Sequence, residues 1–163
     1  MEHTFIKELI YFYLNRAGLE GCGAVLIPGR RATQDLVDYI GKGVSTLKVE
    51  DALFLVYFNK SDEKLSHLVR RFLQHTGCGI SSRQAEDITV GHGLRDAIFE
   101  EVSINLGAQN KVESDLAALI GCATKDLLVC ACGMNAFYAG FRAVQEAQLA
   151  KGRTKWLQLG WLY

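Results

Sequence analysis

The stretch Leu127 to Tyr163, LLVCACGMNAFYAGFRAVQEAQLAKGRTKWLQLGWLY, decides how this chain is read. Asp126 to Ala131 is a short apolar run with the length and composition of a buried strand. Cys132-Gly133-Met134-Asn135 then opens a long helix, with Met134, Phe137, Tyr138, Phe141 and Val144 recurring on one side. Gly152 ends that helix, and Lys155 to Leu159 is a second strand candidate. A small residue and a glycine at a strand-to-helix turn let backbone N–H groups approach an anion. The helix N-terminus adds about half a positive charge.

Upstream, the same α/β alternation is expected. Phe5, Ile6, Leu9, Ile10 and Tyr13 fall at helical spacing after Thr4, and Gly18 closes the helix. Ala24 to Ile27 is a buried-strand candidate ended by Pro28-Gly29, and Leu36, Val37 and Ile40 mark the next helix. Ala52 to Phe58 is the strongest strand in the sequence, apolar, aromatic and β-branched. Ser61 is expected to cap a following helix with Asp62 and Glu63 in its first turn, and Leu65, Leu68, Val69, Phe72 and Leu73 form its stripe. Residues 1–76 are thus expected to form a two-strand unit covered by helices.

Residues 77–93, GCGISSRQAEDITVGHG, read as a polar extended crossing segment. A helix is expected from Leu94 to Leu106. Another is expected from Lys111 to Ile120, with Asn110 and Glu113 spaced as a capping box. Residues 94–163 would then form a second unit of helices and short strands, which the family resemblance given below implies is the start of a large domain. No internal repeat of fixed period is present.

Composition narrows the function classes. Of the 163 residues, 49% are apolar and 22% charged, the balance of a globular protein. Net charge is zero, so nothing favours a nucleic-acid partner, whose phosphates demand a basic excess. No apolar run reaches the eighteen or so residues of a membrane span, and the first residues, MEHTFIKELIYFYLNR, lack a secretory pattern. A cytoplasmic location is expected. The five cysteines, Cys22, Cys78, Cys122, Cys130 and Cys132, are odd in number and read as reduced thiols. Cys130-Ala-Cys132 lacks the spacing of a structural zinc site, so no metal is expected. His67 and His75 read as a solvated or interface face, His92 between glycines has no assignable role, and Gly21-Cys22-Gly23 precedes a strand where a dinucleotide fingerprint would follow one.

Cys132-Gly133-Met134-Asn135-Ala136 and the alanine- and aromatic-rich helix after it resemble the Ser-Gly-Met-x-Ala motif of the pyridoxal-phosphate (PLP) enzymes of Cys/Met metabolism. The resemblance implies that the backbone amides of Gly133 and Met134 hold the cofactor phosphate. Cys132 departs from the family's serine. Leu159 to Tyr163 is similar to the place where the family stacks an aromatic ring on the pyridine, which implies that role for Tyr163. Residues 74–86, QHTGCGISSRQAE, look like the corresponding segment of the fungal-type cystathionine γ-synthases. In the wider family a Tyr-x-Arg pair here reaches a neighbouring subunit's cofactor phosphate. Arg83 matches that arginine, and Ser81 stands where the tyrosine would be. A guanidinium suits phosphate because its planar fork donates parallel charge-assisted bonds.

The resemblance covers the chain from about Val25, most clearly from Gln74 onward. It implies an α/β fold, the N-terminal part of a fold type I PLP-dependent transferase preceded by a small α/β unit. It also implies a homodimer or homotetramer acting on amino-acid substrates. The implied reaction is γ-replacement, joining cysteine to an activated homoserine ester. A cystathionine or methionine lyase of the same family and a non-catalytic interaction module are the alternatives. The family bonds its cofactor through a lysine that lies further along the chain. None of the nine lysines here stands in a matching motif. A fragment, inactive alone, is therefore expected.

Overall fold

A computed structural model describes residues 3–96 and 107–159. Two compact units divide the chain at Val112/Glu113, and each is described by itself. The fold is α/β.

In the first unit, helix α1 (Thr4–Arg16) leads into strand β1 (Cys22–Pro28), helix α2 (Arg30–Ile40), strand β2 (Val44–Glu50) and strand β3 (Leu53–Asn59). Helices α3 (Glu63–Thr76) and α4 (Ser82–Gly91) follow. The strands form one sheet in the order β1-β3-β2, with β3 antiparallel to both neighbours. β1 and β2 therefore run parallel, and α2 carries the chain across β3 between them. The expected pair of strands is β1 and β3. β2 was not anticipated because VSTLKVE is an edge strand whose middle faces water, leaving no apolar run to read. A register irregularity between Lys48 and Glu50 interrupts its ladder.

Alternation on β3 builds two cores. Leu53 and Leu55 face one way, with Leu26 directly opposite Leu55 on β1. They join Leu9, Ile10, Tyr13 and Leu14 of α1 and Ala85 of α4 in one buried cluster. On the other face, Val25 pairs with Val56 and Ile27 with Phe54. There α2 touches all three strands and packs on α3, with the Tyr39 and Phe72 rings 5.7 Å apart. Helices thus cover both sides of the sheet, the arrangement that hides two apolar faces of a short sheet.

Three local readings are corrected. Asp62, not Ser61, caps α3, its side chain accepting the Leu65 N–H at 2.9 Å. The polar stretch after Gly77 is not extended throughout, since Ser82–Gly91 is helical. Ser81 caps that helix, accepting the Gln84 N–H at 3.1 Å, and Ala85 and Thr89, four residues apart, supply its buried stripe. That stripe is too small and polar to stand out as a helical period. Helix α5 (Ala108–Ile120) begins ahead of Asn110, so the Asn110/Glu113 pair lies inside the helix and is not a capping box. The helix expected over Leu94 to Leu106 lies mostly outside the described residues, although Leu94 to Asp96 are not helical.

In the second unit, the end of α5 leads through a 3-10 turn (Thr124–Asp126) to an irregular stretch, residues 127–130. Helix α6 (Gly133–Leu149) and a second irregular stretch, residues 153–159, follow. The helix matches expectation. The flanking strands do not form, because among the described residues neither stretch has a partner strand. A strand exists only through a ladder.

Candidate functional site

Cys132 sits in extended backbone (φ −156°, ψ 166°) just ahead of α6, and its Sγ accepts the Asn135 N–H at 3.4 Å. Cysteine thus does as a cap what a serine hydroxyl does. The Cys132 carbonyl accepts the Ala136 N–H at 2.9 Å. The first two amides of the helix, those of Gly133 and Met134, have no acceptor among the described residues. Cys132 and Gly133 are exposed and Met134 half-buried. Two N–H groups with no acceptor among the described residues, at the positive end of a 17-residue helix, suit a phosphate or carboxylate.

Arg83, the matched arginine, lies exposed in the first turn of α4, in the first unit. Ser81, standing at the tyrosine position, spends its hydroxyl on capping that helix. Gly133 and Met134 belong to the second unit. Tyr163 lies outside the described residues.

A side-chain cluster in the first unit had not been anticipated. The Tyr13 hydroxyl donates to Glu50 Oε1 at 2.6 Å, and His92 Nε2 lies 2.7 Å from the same oxygen and 3.2 Å from the hydroxyl. The Phe12 ring lies against His92 at 4.8 Å. The Tyr13 hydroxyl bond is the main influence holding the Glu50 carboxyl below its usual range, with His92 helping and burial opposing. Burial, followed by the Glu50 hydrogen bond and charge, pushes the Tyr13 phenol well above its usual range. The three groups tie α1, the end of β2 and the C-cap of α4 together. No spacing could reveal this, because the partners lie 37 and 42 residues apart. Nearby, Arg95 pairs with Glu8 at 2.7 Å and lies 4.6 Å over the Phe5 ring. Among the described residues no three His, Cys, Asp or Glu side chains converge as metal ligands, and no helix is long and apolar enough to cross a membrane.

The chain is similar to an L-2-amino-4-chloropent-4-enoate dechlorinase/desaturase of Streptantibioticus cattleyicolor, with 29% identity over 162 residues. The match takes in 99% of this chain and 32% of that enzyme, so the chain spans about a third of the relative's length. No family model and no solved structure matches.

Proposed function

We propose that this chain is the phosphate-gripping part of a PLP-dependent enzyme that acts on an L-α-amino acid carrying a leaving group at its γ-carbon. The observation that carries the reading is the pair of amides, Gly133 and Met134, at the exposed start of α6, which have no acceptor among the described residues. A turn buried under other protein, or one with its amides already bonded, would have had no room for a phosphate. The motif around that turn and the similarity to an enzyme of amino-acid chemistry point the same way.

The relative's name places chlorine on carbon 4 of a 2-amino acid, which is the γ-carbon, and describes loss of chlorine with gain of unsaturation. Elimination is therefore the reaction type favoured for this chain. The second reading, γ-replacement of the cystathionine γ-synthase kind, rests on the likeness of residues 74–86. Both demand a leaving group at the same carbon. They differ in whether a thiol then adds.

PLP, when bound, supplies the electron sink that acidifies the C–H bonds beside the amino-acid nitrogen. The chain's own contribution is binding. Gly133 and Met134 donate N–H groups to the phosphate, and the α6 dipole favours its charge. Arg83 would reach a neighbouring subunit's phosphate, and Tyr163 would stack on the pyridine. A fold type I architecture, a homodimer or homotetramer and a cytoplasmic setting belong to the same reading.

Equilibrium dialysis of the chain against PLP, with inorganic phosphate as competitor, tests it. Saturable binding that phosphate displaces is expected. Binding that phosphate leaves untouched, or none at millimolar PLP, would remove the reading.

A further inference from the structure

Beyond α4 the chain leaves as residues 92–95, and α1 holds this exit at two places. Phe5, Glu8 and Phe12 stand three and four residues apart, so they share one face of α1. The His92 ring lies 4.8 Å from Phe12, with Nε2 2.7 Å from Glu50 Oε1 and 3.2 Å from the Tyr13 hydroxyl. Arg95 meets Glu8 at 2.7 Å and lies 4.6 Å over the Phe5 ring. The exit thus runs back along α1, from its second half toward its first turn. None of residues 91–96 is buried, whereas Leu26, Leu53 and Leu55 of the sheet are. Charge and hydrogen bonds hold the exit down more than apolar burial does.

We propose that residues 92–95 are an ionic strap, released as a unit by acid while the sheet stays folded. The groups facing Glu50 are the Tyr13 hydroxyl and Arg16 guanidinium of α1 and the His92 imidazole from α4. Those facing Arg95 are Glu8 and Phe5 of α1. Protonating Glu50 takes the anionic acceptor from Tyr13 and His92, and protonating Glu8 takes it from Arg95. The two carboxyls anchor opposite ends of one short segment, so opening either end lets water reach the other. Glu50, held below its usual range chiefly by the Tyr13 hydrogen bond, contributes its stability above the unfolded value near 4.3. That contribution goes as pH falls through the folded value. The sheet core packs hydrocarbon on hydrocarbon, which protonation does not change. Release would bare the Phe5 and Phe12 rings. The inference concerns the first unit and stands apart from the cofactor reading.

Native-state hydrogen exchange on the full chain tests the strap. The reporters are the His92, Gly93 and Leu94 N–H groups, which donate to the Ile88, Val90 and Thr89 carbonyls at 3.0, 2.9 and 3.0 Å. Their protection, corrected for intrinsic exchange, should fall at least about tenfold between about pH 6 and about pH 3.5, while far-ultraviolet circular dichroism stays native. The Gly77 N–H, which donates to the Leu73 carbonyl at the end of α3, controls for ordinary helix fraying and should keep its protection. At about pH 6, Glu50→Gln should loosen all three reporters, and Glu8→Gln should loosen His92 as well as Leu94. Leu36→Ala, in the core on the opposite face of the sheet, should leave them unchanged although it lowers global stability. Reporters that stay protected until the circular dichroism collapses, or that are unprotected already at about pH 6, overturn the proposal. So do an equal loss at Gly77, a Glu8→Gln variant with His92 unaffected, or a Leu36→Ala variant as loose as Glu50→Gln.

Discussion

The Tyr13 hydroxyl donates a 2.6 Å hydrogen bond to Glu50 Oε1, joining the first helix to the end of an edge strand. His92 meets the same oxygen from the C-cap of α4. Removing the hydroxyl leaves Glu50 with one donor fewer in a partly buried place. Tyr13→Phe should cost about 1 kcal/mol of stability, read as a lower urea midpoint with an unchanged slope.

The pH dependence follows from the same contact. The Glu50 carboxyl is held below its unfolded value, so its contribution is complete above the ordinary carboxyl range. That contribution is lost as pH falls through the folded value. Thermal midpoints should drop between about pH 5 and pH 3, since a free Glu titrates near 4.3. Glu50→Gln should flatten that drop. The Tyr13 phenol, raised in the folded state, contributes stability that is present below its unfolded value near 10. That stability fades at higher pH, and Tyr13→Phe should remove the alkaline loss.

The sheet core should be far less tolerant than the surface of the second unit. Leu55 on the central strand is fully buried. Leu55→Ala should cost about 2–5 kcal/mol. Leu157→Ala, at 85% exposure, should stay within about 0.5 kcal/mol in the isolated chain. Denaturant titration of the two variants makes the comparison.

Gly43 adopts φ +92° just before β2, and a Cβ there would sit 2.8 Å from Leu65 Cδ1. The Leu65 methyl can shift, so Gly43→Ala should destabilise by about 1 kcal/mol, chiefly through its left-handed backbone. A thermal midpoint lowered by only a degree or so would contradict this.

Gly133 occupies the first position of α6, where a proline fits the helix and lacks only an N–H that the helix does not use. Gly133→Pro should keep the helical circular-dichroism signal and weaken phosphate-competable PLP binding about tenfold or more. Equal affinity for wild type and variant would show that this amide does not grip the anion.

Much of the first unit was legible because its signals are local. Ala52–Phe58 carries strand character in its own composition, and the apolar stripes of α1 and α3 carry the helical period. The start of α6 was legible for the same reason, since Cys132, Gly133 and Met134 are adjacent and the helix after them is strongly patterned. β2 escaped notice because an edge strand needs only part of one face to be apolar. α4 escaped because its inward residues, Ala85 and Thr89, are small.

The amino-acid order alone therefore determined helices α1, α2, α3 and α6 and where α6 starts, since these depend on residues within a turn of one another. Only tertiary structure decided that β3 lies between β1 and β2, or that Tyr13, Glu50 and His92 meet. It also decided that the apolar stretches beside α6 form no ladder among the described residues. Each of these depends on groups distant in the chain being brought within hydrogen-bonding or packing distance, and local propensity holds no record of such encounters.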